Sequence, residues 1–105
     1  AYYYLSDASL KMDVKLAPGL DVITKLNGVE FKWRESGEKS YGLIAQEVEK
    51  VLPEAVKTDA NGKKNLNQGV LTGPIIEAIK ELDAKVQKLE TENAELRDRL
   101  ERIER

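Results

Sequence analysis

Histidine and cysteine are both absent from this chain of 105 residues. Without them the usual zinc, haem and iron–sulfur sites have no ligands, and catalysis by a Ser–His–Asp triad or a Cys–His pair is excluded. No disulfide can form, so cysteine usage says nothing about the redox compartment. We therefore expect neither a metal nor a cofactor.

A surplus of charge of one sign is also missing. The 17 Lys and Arg residues nearly balance the 19 Asp and Glu residues, which gives a formal net charge of −2. Nucleic-acid-binding domains usually carry a clear basic excess, and a membrane-spanning helix needs roughly 18 or more consecutive apolar residues, a run that this sequence lacks. We expect no nucleic acid and no membrane among its partners.

The last third of the chain lacks glycine, proline and aromatic residues. All of these lie at or before Pro74, whereas more than half of the residues from 77 to 105 are charged. This shift predicts a head over about residues 1–72, followed by a long helix over residues 73–105. A head of this size buries only a thin core and usually needs a disulfide, a metal or a partner chain, so oligomerisation is favoured.

Apolar residues in the long helix follow an unbroken heptad repeat, with spacings that alternate between four and three, as is typical of a coiled coil. The residues at positions a and d are Ile75, Ile79, Leu82, Val86, Leu89, Asn93, Leu96, Leu100 and Ile103. Opposite charges occupy the g and e positions that face each other between parallel neighbours: Lys85 with Glu90, Glu92 with Arg97, and Arg99 with Glu104. The pattern favours a parallel, in-register homo-oligomer.

The number of chains stays open on pattern alone. Val86 and Asn93 at a, with leucine at d, favour a dimer, while Ile75 and Ile79 weaken that preference. A single amphipathic helix packed on its own head is the alternative to oligomerisation. A leucine-zipper transcription factor is disfavoured, because residues 65–78 contain no Lys or Arg where a basic region would precede the zipper.

The head is predicted to be a small α+β unit of short strands and helices. Its predicted elements are a helix within 18–26, a half-buried strand over 29–34, an apolar stretch over 41–45 leading into a helix over 46–52, and a hairpin of residues 55–58 and 63–66 around a type I′ turn at Asn61-Gly62. Gly73-Pro74 either breaks the chain before the heptads or begins the long helix with proline at its first position.

Ser6 and Lys11 form a candidate serine–lysine dyad, in which a neutral amine acts as general base for the hydroxyl. A lysine that works as a base near neutral pH must lose its charge, which needs burial or a neighbouring cation. Five residues of α-helix separate two side chains by roughly 140°, so Ser6 must precede the helix or Lys11 must come from a turn or another protomer. The alternative, which spacing alone favours, is Ser6 as a capping hydroxyl at a helix start and Lys11 as a surface lysine.

The run Leu5-Ser6-Asp7-Ala8-Ser9-Leu10-Lys11 resembles the start of the C-terminal intramolecular chaperone domain of phage tailspikes and endosialidases, which also occurs in tail fibres and in myelin regulatory factor. The most specific similarity is the run from Gly42 to Val56, GLIAQEVEKVLPEAV, and the opening of the long helix, IIEAIKEL, is similar as well. The resemblance covers roughly residues 5–85 in order. Gly73-Pro74 departs from the family pattern.

Membership of this family would imply a trimer whose long helices form a parallel coiled coil. Such a domain holds an upstream fibrous or β-helical shaft of the same chain in register, lets it fold and then cuts itself off. The resemblance places the scissile bond between Leu5 and Ser6, with Ser6 as nucleophile and Lys11 as base. It thereby divides the chain into the end of the upstream shaft over residues 1–5, a chaperone and autoprotease head over residues 6–72 and a coiled-coil helix over residues 73–105. The domain would belong to the precursor of a phage tail fibre or a bacterial surface fibre and be released after maturation.

Three further residues are candidates for supporting the dyad. Asp7 either orients the turn or caps the helix, while Gln46 and Glu47 lie in the most specific motif and otherwise begin a helix. The alternative function is a purely structural trimerisation cap with the same fold and no cleavage.

Overall fold

The chain folds into a head of short helices and strands, followed by one long helix. The computed structural model describes residues 3–104, so Ala1 and Tyr2 of the predicted upstream end and Arg105 of the predicted helix lie outside the described residues. The regular elements are α1 (Leu20–Ile23), β1 (Val29–Lys32), β2 (Lys39–Gly42), α2 (Ala45–Val51), β3 (Val56–Thr58), β4 (Lys64–Leu66) and α3 (Thr72–Glu104). Three 3₁₀ helices join them, at Ala8–Leu10, Pro53–Ala55 and Gln68–Leu71. The predicted α+β class is confirmed.

The first hairpin follows from the alternation in β1. β1 and β2 pair in antiparallel register, with Phe31 opposite Ser40. Val29 and Phe31 are half-buried, whereas Glu30 and Lys32 are exposed. This is the half-buried strand that the alternation predicts.

The strand ends earlier than the predicted boundary at Arg34. The backbone N–H of Trp33 donates to the carbonyl of Glu38 at 2.9 Å, and that of Gly37 donates to the carbonyl of Trp33 at 2.8 Å. The chain therefore turns at Trp33, whose ring stands edge-on to Phe31 with 4.9 Å between the ring centroids.

The second hairpin joins β3 and β4 through the loop of residues 59–63, and the predicted type I′ turn is wrong. That turn needs positive φ at both central residues, but Gly62 has a φ of 77° while Asn61 has no positive φ. The Asp59 carboxylate shapes the loop instead, since its Oδ1 accepts the backbone N–H groups of Asn61 at 2.9 Å and Lys63 at 3.0 Å. The Lys63 N–H is the main cause that holds the pKa of Asp59 below its ordinary value.

The core of the head lies between α2, the second hairpin and the approach to α3. Val48 is 1% exposed, and the predicted apolar face of α2 is confirmed by its burial with Leu52. The cluster consists of Val48, Leu52, Ala55, Val56 and Leu71. So small a cluster agrees with the expectation that the head needs further support.

The long helix begins at Thr72, directly after the 3₁₀ helix Gln68–Leu71. Gly73-Pro74 does not break the chain, because Pro74 lies in the first turn of α3, where backbone N–H groups have no intrahelical partner. The helix therefore starts one residue before the predicted boundary at residue 73 and two residues before Pro74, the first helical position in one of the two alternatives.

α1 docks on one flank of α3. The backbone N–H of Leu20 donates to Glu81 Oε2 at 3.1 Å, and Val22 of α1 and Ala78 of α3 are both buried. In the heptad register Ala78 occupies g and Glu81 occupies c, so the head covers the g and c flank and leaves positions a, d and e uncovered. Gly19 allows this close approach, because a Cβ there would meet Glu81 Oε1 and would lie 2.9 Å from the Ala78 nitrogen.

Gly19→Ala is expected to lower the free energy of unfolding of the head by about 1–3 kcal/mol, because the added methyl overpacks the α1–α3 contact. Urea denaturation followed by tryptophan fluorescence measures this change. Gly28→Ala is the matched control, since a Cβ at Gly28 would have no atom within 4 Å. Equal effects of the two substitutions would contradict the role assigned to Gly19.

Candidate functional site: a serine–lysine pair and an exposed heptad stripe

The turn that carries the candidate dyad is the 3₁₀ helix Ala8–Leu10. Asp7 is its N-terminal cap, and Asp7 Oδ1 accepts both the backbone N–H of Ser9 at 2.8 Å and its hydroxyl at 2.7 Å. The alternative role of Ser6 as the capping hydroxyl is therefore wrong, and the capping role that was one of the two expected for Asp7 is confirmed. The Ser6 hydroxyl is left for another contact.

Lys11 provides that contact. It is the first residue after the 3₁₀ helix, where the backbone is extended, and its own N–H donates to the carbonyl of Ala8 at 3.1 Å. Its Nζ donates to Ser6 Oγ at 2.7 Å. Ser6 precedes the helix, which is one of the arrangements that the spacing allows, and a single tight turn brings the two ends together within one chain.

Hydrogen bonding around Asp7 fixes the charge next to the pair. The Ser9 hydroxyl and then the Ser9 N–H hold the pKa of Asp7 below its ordinary value, because both bonds favour the carboxylate. A lowered pKa means that the cap is fully formed at neutral pH and is lost only when acid protonates Asp7.

The pair is exposed to solvent in the single chain. In this contact Lys11 Nζ donates to Ser6 Oγ. A general base must instead accept the hydroxyl proton, which requires the neutral amine. Water stabilises the ammonium form, and burial disfavours it. The geometry of a dyad is thus present in the single chain, while the burial that would make the amine a base is absent from it.

The segment before Ser6 is accessible. Tyr3, Tyr4 and Leu5 belong to no regular element and are 94%, 89% and 86% exposed. Nothing within residues 3–104 shields the Leu5–Ser6 peptide bond, which stands next to the hydroxyl that Lys11 contacts.

Gln46 and Glu47 begin α2, in the helix-start position that was their alternative role. Glu47 Oε1 accepts a hydrogen bond from the side chain of Asn27 at 3.3 Å. Within the described part of the chain, no hydrogen bond joins either residue to Ser6 or Lys11. A supporting role for them stays a prediction.

An apolar stripe runs along α3 beyond the head. The helix has 33 residues, which is about 50 Å at 1.5 Å per residue, and every residue from 79 to 104 is exposed. Its apolar residues at a and d are 44% to 79% exposed, and Asn93 is exposed as well. The alternative of a helix packed on its own head therefore fits only the first turns.

Residues 3–104 hold no cluster of three or more residues of metal-binding type. No helix there has the length and apolar character that crossing a membrane requires.

Comparison with known proteins matches the region of the dyad. Residues 6–57 match the family model described as chaperone of endosialidase, and this match begins at Ser6. An alignment 99 residues long, which covers 85% of the chain, gives 35% identity to the long tail fiber proteins Gp37 of Enterobacteria phages K3 and T2. A second alignment, 105 residues long and covering 89% of the chain, gives 33% identity to the long tail fiber protein Gp37 of Salmonella phage S16. The chain spans only 8%, 7% and 14% of the length of these three relatives.

Proposed function

Since this chain belongs to the chaperone of endosialidase family, we propose that it is a trimerising assembly domain of a phage tail fibre that releases itself by cutting the Leu5–Ser6 bond. The names of its relatives support the location, because all three are long tail fiber proteins. The single observation that carries the assembly role is the exposed heptad stripe of α3. The contact of 2.7 Å between Lys11 and Ser6 supports the release step.

Assembly of a fibre shaft is limited by chain entropy. Three separate shafts must lose conformational freedom before contacts between them compensate for the loss. A parallel coiled coil holds the ends of the shafts in register and raises their effective concentration, so that folding starts from one end. The matched charges at g and e favour identical, in-register chains over other pairings.

Release requires a proton acceptor next to the Ser6 hydroxyl. In the proposed reaction Lys11 takes the hydroxyl proton while Ser6 Oγ attacks the carbonyl carbon of Leu5. The Leu5–Ser6 C–N bond breaks, the proton passes to the Ser6 nitrogen, and an ester joins the Leu5 carbonyl to Ser6 Oγ. Water then hydrolyses this ester and leaves a Leu5 carboxylate and a domain that begins at Ser6.

Because the dyad is exposed to solvent in the single chain, the reaction would wait for assembly. A lysine needs burial or a neighbouring cation to act as a base near neutral pH, and in this proposal another chain provides it in the assembled state. Cleavage would therefore follow assembly, and the released shaft would remain assembled because its unfolding is slow.

A structural cap that never cuts is the second candidate. The exposure of Ser6 and Lys11 favours it, and so does the naming of the relatives as fibre proteins. It shares the coiled coil with the first candidate and differs from it only at the dyad.

The shaft itself tests the assembly role. The full-length fibre chain is produced with residues 6–105 and with a stop codon after Leu5, and resistance to protease and to heated detergent measures assembly of the shaft. We expect assembled shaft only from the chain that carries the domain. Equal assembly of both chains would overturn the proposed chaperone role.

A further inference from the structure

Residues 10–16, here called the alternating segment, are all exposed in the single chain. Apolar and charged residues alternate along it, and it takes part in no strand pairing within the described part of the chain. Its apolar residues are 63% to 83% exposed: Leu10, Met12, Val14 and Leu16. Four large apolar side chains exposed next to each other indicate a surface that another molecule covers.

A bend in the middle shows which kind of contact the alternating segment can make. Asp13 has a φ of 52°, in the left-handed region that Asp tolerates better than most residues. A strand bent in this way cannot continue a regular β ladder with another strand. Its side chains are therefore the binding groups, and an apolar surface is the partner that they fit.

The alternating segment leaves the head at the first turn of α3. The residue that follows it, Ala17, has its Cβ 3.5 Å from the place where a Cβ on Gly73 would lie. Pro74, at position c, is buried on the same side. The segment thus starts from the g and c flank of its own α3, the flank that the head covers.

In a parallel coiled coil, a g residue of one chain faces the e residue of the next heptad in the neighbouring chain. One heptad before Ala78, position g falls at Leu71, which ends the 3₁₀ helix before α3 and is buried in the head. The neighbour's e residue on that side is Ile76, so Ile76 would face the head of the first chain. Ile76 is 50% exposed. It is the only apolar residue at e, since the later e positions hold charges: Asp83, Glu90, Arg97 and Glu104.

We infer that the alternating segment of one copy packs on the neighbouring copy's α3 at Ile76 and the exposed Ile75 and Ile79 beside it. The occupant of this surface is a second copy of the chain, and the inference rests on the oligomerisation in the proposed function. The length of the segment suffices. From Leu16 to Lys11 it spans up to ~20 Å, whereas neighbouring helix axes lie about 8–10 Å apart.

The position of the dyad gives this contact a consequence. Lys11 lies within the alternating segment, and Ser6 lies at the end of the turn before it. If the segment packs on the neighbouring copy, Ser6 and Lys11 lie against the surface of that copy, which excludes water from the Lys11 amine. The site is then incomplete without the second copy, although both of its reacting residues come from one chain.

Cysteine cross-linking tests the contact, because the chain has no cysteine of its own. An affinity-tagged Val14→Cys chain is co-expressed with an untagged Ile76→Cys chain, and the mixture is oxidised. We expect a disulfide-linked tagged–untagged pair on a non-reducing gel. The matched control replaces Ile76→Cys by Ala84→Cys, at the outward-facing f position of the same helix, and the linked pair should be lost. Light scattering gives the number of chains in each sample.

The outcomes separate the contact from the oligomer. A linked pair with Ile76→Cys and none with Ala84→Cys supports the inference. An oligomer in which the Ile76→Cys pair does not form, or forms no more than the control pair, overturns the inference and leaves the proposed function intact. A monomeric mass overturns both.

Discussion

Ser6→Ala is expected to abolish cleavage of the Leu5–Ser6 bond while leaving the oligomer unchanged. The substitution removes the oxygen that attacks the Leu5 carbonyl and the ester that would follow. It leaves the Asp7 cap in place, because Asp7 Oδ1 accepts its hydrogen bonds from Ser9 and not from Ser6. Intact mass of the assembled chain after incubation measures the result, since cleavage separates residues 1–5 and anything before them from a product that begins at Ser6.

Lys11 separates the role of a base from the role of a positive charge. Lys11→Met is expected to slow cleavage by about 10²–10⁴-fold, the usual contribution of a general base. Lys11→Arg should slow it as much, because a guanidinium keeps the charge but does not give up its proton in proteins. Lys57→Met, at an exposed lysine in β3 outside the alternating segment, should leave the rate unchanged.

Two results would contradict the dyad. One is a Ser6→Ala chain that is cut at the same bond as the parent. The other is a Lys11→Arg chain that is cut as fast as the parent. That result would mean that Lys11, 2.7 Å from Ser6 Oγ, acts through its positive charge and not as a base. An assembled parent that is never cut would favour the structural cap.

Leu89→Asp is expected to convert the oligomer into single chains and to stop cleavage together with assembly. Leu89 is 57% exposed in the single chain and occupies a d position at the middle of the stripe. Burial of a leucine contributes about 1.5–3 kcal/mol per chain, and the substitution would place one carboxylate from every chain in the same apolar layer. Light scattering and intact mass on the same samples measure both effects.

Thr91→Asp is the control for this substitution. It introduces the same charge two residues further along, at the outward-facing f position of α3. Its mass and its cleavage should equal those of the parent. If Leu89→Asp stays oligomeric, the heptad stripe is not the oligomer interface; if it is monomeric and still cut, cleavage does not depend on assembly.

Features with a local cause were predictable from the sequence. The α3 helix follows from a repeat that needs no tertiary information, and the alternation from Val29 to Lys32 sets the burial of β1. The apolar face of α2 at Val48 and Leu52 was likewise visible as a spacing. In each case the period of the apolar residues equals the period of the backbone.

Side-chain bonds to the backbone caused the errors. The Asp59 carboxylate changes the turn of the second hairpin. The Asp7 carboxylate forms the cap, as one of its two expected roles, and so excludes the alternative in which Ser6 forms it. Asp and Ser offer the backbone similar bonds, so composition does not decide which of two adjacent residues makes them. The error at Ser6 matters, because it is the Asp7 cap that leaves the serine to Lys11.

Sequence reasoning also missed the alternating segment. The period of two from Leu10 to Leu16 was the signal that could have identified it. It pairs with no strand of the described part of the chain, and all of its residues are exposed. Its role, as inferred here, depends on a neighbouring copy, which no pattern within one chain specifies.

The central claim is that assembly brings about release, and the cleaved fraction at each oligomeric state tests it most directly. The chain, extended by native residues before Ala1, is dissociated, refolded over a range of concentrations and separated by size with light scattering. Each fraction is then analysed by intact mass. The account predicts a product beginning at Ser6 in the fraction with the mass of three chains and an uncut chain in the monomer fraction. Equal cleavage in both fractions, or a trimer that stays uncut, would contradict it.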